Sequence, residues 1–548
     1  MNSAAADTWE RRIPREQIWP VLSGLLLVLL LAALDQTIVS TALPKVIADL
    51  KGFDRYSWVA TAYLLSSTVT VPLYGKLSDI FGRKRLLLIG VVIFLAGSAL
   101  CGASQSMNEL ILARGFQGIG AGALFPIVLA TFGDLFSPRE RGRWQGVAGG
   151  VFALASIIGP TTGGWITDNF SWRWVFYVNL PVGIVALLVL TFLMPPLRFG
   201  KPGTKIDYLG AAVLISALVP MLLAFTWGGS TYAWSSPQVL GLLAWSAIAL
   251  ATFVLIELRT PQPIVEPRLF RNSIYAVSII TTSLIGATMF GSIFFIPLFV
   301  QSVIGSSATT SGTIVTPLML TAITGSIASG FMVSRTGRYR YIAIAGLLIM
   351  DAGAFLLLRL TVNSTYSDVL LAMLVMGLGL GLGMQLYTVV TQNAVPQNKI
   401  GQVTSGLTLF RQLGATIGLA VMGSFMTSRF QRDMASDLPA AVRRVLPPAA
   451  IDKMDKPQVL ISPPARAAMR HGFSRFGQNG VVLYNEMQHA IRLALAAAIH
   501  DVFLLGMIVA ALATVAVLFL KEIPLRSAAG ATEEVTAELE PAQRVVSI

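Results

Sequence analysis

Five polar residues stand in stretches otherwise made of hydrocarbon side chains. Asp35 lies in LDQTIVSTALP, residues 34–44, deep within an apolar run. Arg114 and Gln117 share LARGFQGIGAG at 112–122; three residues apart, they fall on one face of a helix. Arg411 sits in LTLFRQLGATIG and Asp351 in LIMDAGAF. An ionised group enclosed by hydrocarbon is costly unless it meets an opposite charge or changes its protonation. A carboxylate at Asp35 therefore suits the loading and release of a proton. The plain alternative is a polar packing residue bonded across helices. Arg114 needs a partner, and Asp35 is the obvious one, with Gln117 in support. Arg411 could pair with Asp35, hold an anion, or bond a neighbouring carbonyl. Asp351 could be a second proton or cation site, or could turn to polar neighbours.

A second constellation is GKLSDIFGRKR at 75–85, with Gly75, Asp79, Gly82, Arg83 and Arg85. The glycines let two backbones approach at a sharp turn. Asp79 can cap the next helix or pair with an arginine on another. The cations are expected to anchor the turn at lipid headgroups. A degraded copy, GFMVSRTGRYR, occupies 330–340. Gly75, Gly82, Arg83 and Arg85 align with Gly330, Gly337, Arg338 and Arg340 at a constant offset, while Ser334 replaces the acid. A third stretch is SIIGPTTGG at 156–164, where Gly159, Pro160, Gly163 and Gly164 are expected to bend a helix and let another pack against it.

The elements that must position these residues follow from composition. The chain has 548 residues, 54% hydrophobic and 12% charged, with a mean hydropathy of +0.70. Apolar runs long enough to cross a bilayer recur about 14 times, from 19–43 to 496–520. The chain reads as an all-α polytopic membrane protein. Its N-terminus is too long in apolar residues for a cleavable signal and reads as the first span. Twenty-three of the 40 Lys and Arg fall in the tails and loops on the N-terminal side. That asymmetry predicts both termini in the cytoplasm and a multi-pass plasma (inner) membrane protein. The net charge of +13 is spread over short rims beside anionic headgroups rather than a continuous patch. Nucleic acid is thereby excluded as a partner. The single cysteine, Cys101, permits no intrachain disulfide and reads as helix packing.

The internal copy implies two six-span units. The expected organisation is a cytoplasmic tail 1–18, a six-helix bundle 19–194, a linker 195–272 with two extra spans, and a second bundle 273–520. The last contains a polar outer insert at 428–495, and a disordered tail 521–548 follows. The insert could be a helical hairpin or a solvated loop.

These motifs together resemble the major facilitator superfamily (MFS), in particular its fourteen-span drug:proton antiporters of the EmrB/QacA type. GKLSDIFGRKR is similar to the superfamily's signature between helices 2 and 3. LDQTIVSTALP, LARGFQGIGAG, SIIGPTTGG and WRWVFYVNLP at 172–181 resemble the subfamily's patterns in and after helices 1, 4 and 5. The resemblance implies an MFS fold of two six-helix bundles plus two extra helices, working by alternating access. It implies proton coupling at Asp35 with Arg114, to which Arg411 and Asp351 are added as candidates. It also implies an antiporter motif at Gly159–Gly164. Expected substrates are lipophilic, cationic or neutral amphiphiles exchanged for protons; a lipid translocase on the same scaffold is the alternative. No phosphate-cradling loop, nucleophile elbow or HExxH motif is present, and there are three histidines. No enzyme activity, cofactor or metal is expected. A monomer among membrane lipids is expected, and a periplasmic adaptor on the insert stays open.

Overall fold

The computed structural model describes residues 15–50, 56–136, 138–195, 207–229, 231–305, 314–437, 470–475 and 477–524, with 439 and 442. Among these residues helices form throughout and no strand does. The first bundle comprises α1 (Arg15–Leu50), α2 (Tyr56–Phe81), α3 (Arg83–Ala103), α4 (Met107–Leu135), α5 (Pro138–Asn169), the short α6 (Trp174–Tyr177) and α7 (Asn179–Leu193). Two further helices follow, α8 (Tyr208–Trp227) and α9 (Pro237–Arg259). The second bundle comprises α10 (Ser273–Phe299), α11 (Val315–Thr336), α12 (Arg340–Leu358), α13 (Tyr366–Met384), α14 (Leu386–Asn393), α15 (Ile400–Asp437) and α16 (Gly477–Leu518).

Thirteen described segments are long and apolar enough to cross a membrane. The expected second span, α2, falls short on hydropathy because Ser66, Ser67, Thr68 and Thr70 interrupt it. Those hydroxyls do not need water. Ser66 Oγ donates to Ala62 O at 2.8 Å and Thr70 Oγ1 to Ser66 O at 2.8 Å, so the polarity is satisfied within the helix. At 26 residues, α2 is about 39 Å long, enough to span.

Glycine sets the helix crossings, because interhelical contact in lipid depends on close backbone approach. A side chain at Gly120 of α4 would run into the backbone of Gly90 and Phe94 on α3, and Gly97 faces the backbone of Gln117. The second bundle repeats the device: Gly353 faces the backbone of Met376, and Gly379 that of Met350, across the α12–α13 crossing. Between bundles, α5 crosses α11 where Gly142 and Gly146 face Gly330 and Ser326, and α2 crosses α15 where Gly75 faces Ser405. The extra helix α8 lies over this second seam. Its Leu214, Leu218 and Leu222 join Val69 and Val71 of α2 and Leu409 and Leu413 of α15 in one apolar cluster.

Residues 428–437 and 477–495, expected as part of the insert, continue α15 and α16. These helices have 38 and 42 residues, or about 57 and 63 Å, well beyond a hydrocarbon core of about 30 Å. Most of the insert between them, the N-terminal residues 1–14 and the tail from 525 lie outside the described residues.

Gly120→Val should lower stability by about 1–3 kcal/mol through overpacking of the α3–α4 crossing. Gly241→Ala, on α9 with nothing within 4 Å of the added carbon, should leave it unchanged or slightly raised. Thermal unfolding of the purified protein measures both.

Candidate functional site

The α4 N-terminus is fixed by a reciprocal cap: Glu109 N–H donates to Ser106 Oγ at 3.3 Å, and Gln105 N–H donates to Glu109 Oε2 at 2.8 Å. Arg114 follows two turns later, beside Asp35 of α1. Its Nη1 donates to Asp35 Oδ2 at 2.8 Å and to Gln117 Oε1 at 2.8 Å. Gln117 Nε2 donates to Asp35 Oδ1 at 2.9 Å, and Asn179 Nδ2 reaches the same oxygen at 3.0 Å. Ser98 Oγ accepts from Asn179 at 2.9 Å and from Gln117 at 3.3 Å, and donates to Phe176 O at 2.9 Å. Arg114 Nε donates to Val59 O at 3.3 Å, and its guanidinium lies 4.0 Å from the centre of the Tyr63 ring.

Asp35, Gln117, Asn179 and Ser98 are wholly buried and Arg114 is 3% exposed. The cluster is electrically neutral, fully enclosed, and held by α1, α3, α4 and α7. Protonation of Asp35 would remove the charge that holds Arg114 in place. Asn179 Oδ1 is buried with no hydrogen-bond partner. Ser98 and Asn179 were not singled out from the sequence; Asn179 lies within the quoted WRWVFYVNLP, but a lone Ser or Asn in an apolar run carries no distinctive signal. Cys101 packs beside the cluster, its Sγ 3.5 Å from Gln117 Oε1.

The GKLSDIFGRKR turn builds a second buried cluster, on the face that carries the basic loops. Gly82 adopts φ 96°, a left-handed conformation that favours glycine. Arg83 is not a headgroup anchor: it is fully buried and ion-paired with both Asp79 and Asp134, the latter at 2.7 Å. Asp79 also reaches across to the second bundle. Its two oxygens accept from Gly401 N–H at 3.2 Å and Gln402 N–H at 3.1 Å. The carboxylate thus caps α15, at the positive end of the helix dipole. Gln145 Nε2 donates to Gln392 Oε1 at 3.1 Å, and Gln392 Nε2 to Leu129 O at 3.2 Å. Hydrogen bonds between the bundles gather on this face, so the two bundles are closed against each other there. Arg85 alone of the motif's arginines is exposed.

Gly159 abuts Thr37 of α1, and Thr37 Oγ1 donates to Ala155 O at 3.1 Å. Gly163 is buried, and Gly164 has nothing within 4 Å of an added carbon. The helix α5 runs on through Pro160.

Two expected members stand apart from the Asp35 cluster. Arg411 does not pair with Asp35, whose oxygens are taken by Arg114, Gln117 and Asn179. It is half-buried on α15, 5.8 Å from the centre of the Phe125 ring on α4. Asp351 faces α16, where it accepts from Thr514 Oγ1 at 2.7 Å. Between the bundles lies a small cavity of about 30 Å³ lined by Phe152 of α5, Met289 of α10, Met319 of α11, Met384 at the end of α13, and Gln385. Among the described residues no cluster of His, Cys, Asp and Glu is suited to a metal.

Two helical bundles, a sealed intramembrane ion pair and a lock across their seam define a membrane carrier. The sequence profile of the Major Facilitator Superfamily matches residues 25–419, and the chain belongs to that superfamily. It is 36% identical to the multidrug transporter protein MdtP of Bacillus subtilis, covering 92% of this chain and 93% of that one. It is 34% identical to multidrug resistance protein 3 of the same organism, covering 94% and 97%. In fold it is similar to the human organic anion transporter MFSD10 (TM-score 0.58, 17% identity, covering 91% and 100%). It is also similar to the proton:xylose symporter XylE (TM-score 0.54, 13% identity, covering 90% and 95%). The protein is an integral multi-pass membrane transporter.

Breaking a buried pair from one side costs about 3–5 kcal/mol, because it strands the other charge. Asp35→Asn and Arg114→Gln should each lower stability on that scale, and the double variant by less than the sum, in a double-mutant cycle of thermal unfolding. Asp79→Ala should open the lock. With spin labels at Arg85→Cys and Arg335→Cys in a Cys101→Ala background, it should add a longer-distance population that the Asp79 parent lacks.

Proposed function

We propose that the chain is a proton-driven exporter of lipophilic compounds, working by antiport and alternating access from a plasma membrane with both termini cytoplasmic. The observation that carries the reading is the Asp35 cluster: a carboxylate sealed from water, with an arginine as its counter-charge and an amide on each side. In such a site, proton arrival and ion-pair breakage are one event. The relatives named as multidrug transporters support the exporter half of the reading.

In the proposed cycle the present state is closed to the cytoplasm. A proton arriving from outside neutralises Asp35 and releases Arg114, and the helices around it rearrange as the Asp79–α15 lock opens. Substrate entering from the cytoplasmic side or inner leaflet occupies the space beside Phe152, which widens as the bundles part, as the proton leaves. The carbons and sulfurs lining that space favour neutral amphiphilic bodies. The sequence likeness to fourteen-span antiporters fits this reading, since α2 and the thirteen other spans make fourteen.

The test is efflux of Nile red, a neutral amphiphile, from loaded cells lacking their own pumps. The intact chain should export it, and Asp35→Asn or a protonophore should reduce the rate at least about a hundredfold, the lower end expected for losing an essential proton-transfer group. Efflux surviving in Asp35→Asn would overturn the coupling assignment. No efflux of dye, with labelled lipid moved in proteoliposomes, would replace the exporter with a lipid translocase.

A further inference from the structure

Among the described residues, the ion pairs of the membrane interior leave one cation, Arg411, over. Asp35 is taken by Arg114, and Asp79 and Asp134 by Arg83. Asp351 turns to Thr514 on the far side of the second bundle, and Glu257 of α9 accepts from Ile264 N–H at 3.2 Å. Among the described residues no carboxylate is within ion-pair distance of Arg411, and its guanidinium makes no hydrogen bond. The face of Phe125 is its recorded contact. A guanidinium deep in a membrane protein requires an acceptor, and an aromatic face is a weak substitute for a carboxylate or phosphate.

Two routes of contact lead from this cation to the wall of the space between the bundles. Phe125 meets Phe152 edge-on at 5.9 Å, and Phe152 lines that space. On the other side, Gly286 of α10 lies against the backbone and Cγ of Arg411. Met289, one turn further along α10, lines the same space. None of the residues lining it is charged. An apolar space without a charged lining residue therefore has one fixed positive charge a single aromatic ring behind its wall, with Phe125 between Arg411 and Phe152.

We propose that Arg411 reads the head group of the transported molecule. The preferred substrates are lipophilic acids, with a carboxylate, sulfonate or phosphate at Arg411 and an apolar body against Phe152 and the methionines. Lipophilic cations are disfavoured by the same charge. This rests on the exporter reading for what the chamber is for, and it narrows the substrate class.

Three probes with one body and different heads test it: 1-pyrenebutyrate, its methyl ester, and 4-(1-pyrenyl)butyltrimethylammonium. Binding to the purified full chain is read by energy transfer from tryptophan to pyrene. The intact chain should bind the acid at least tenfold more tightly than the ester, and the ammonium most weakly. Arg411→Gln should bring the three within about twofold. Arg411→Lys, which keeps the charge but loses the planar fork, should retain the order with a smaller spread. The same acid preference in a folded Arg411→Gln, tightest binding of the ammonium by the intact chain, or no binding of any probe would each overturn the proposal. If Arg411→Gln fails to fold, the order in the intact chain and in Arg411→Lys decides. Nile red separates the two readings. Its export by an intact chain that lacks the acid preference leaves the exporter standing and removes the role of Arg411. If neither Nile red nor a pyrene probe is exported, the exporter reading itself fails.

Discussion

Within a bilayer a charge is tolerated where an opposite charge and enough hydrogen bonds meet it, and this requirement organises the first bundle. The carboxylate of Asp35 draws α1, α3, α4 and α7 to one point near the face opposite the basic loops. The guanidinium of Arg83 draws the ends of α2, α3 and α4 to one point at the other face. Between these two polar knots the helices touch through glycine and hydrocarbon. Packing of that kind sets how closely and at what angle the helices cross. The two knots fix which helices meet at each face.

The second bundle repeats the helices but not the knots. In the copied turn, Ser334 Oγ donates to the carbonyl of Phe331 one turn back and cannot cap a helix of the other bundle. Its neighbours turn inward instead. Tyr339 donates its hydroxyl to Lys521 O at 2.8 Å, and Arg340 Nη2 donates to Leu518 O at 2.9 Å. The copy thus fastens the end of α16 within its own half. The acid in the closure between the bundles therefore comes from the first half, and the copied turn supplies no counterpart.

Much of this was legible in the sequence where residue type and spacing were both unusual. An acid deep in an apolar run, and an arginine and glutamine on one helical face, point to Asp35, Arg114 and Gln117 before any coordinates. Ser98 and Asn179 escape because small polar residues are ordinary in membrane helices, and their part depends on helix rotation that periodicity does not give. Asp134 escapes for a related reason: it stands outside the turn motif, and pairing with Arg83 is a tertiary fact. Arg411 stands out in the sequence as an unusual cation, but whether it reaches Asp35 depends on which face of α15 meets which helix. The hydropathy deficit of α2 shows the opposite case. There composition understates the span, because its hydroxyls are satisfied by carbonyls of their own helix.

One helix joins the ion-pair cluster, the cavity and the seam between the bundles. Near the middle of its length α5 meets α1 at Thr37, two residues from Asp35, through the carbonyl of Ala155 and the bare backbone of Gly159. Toward the basic face the same helix crosses the second bundle at Gly142 and Gly146. Phe152, between those two contacts, forms part of the chamber wall. At 32 residues, α5 is about 48 Å long, and a rigid rod cannot tilt at one contact without displacing the others. Glycine makes its crossings backbone-to-backbone, and a close-packed contact of that kind switches between discrete fits more readily than it yields by degrees. The charge state of Asp35, the content of the chamber and the closure of the basic face therefore bear on the position of a single helix.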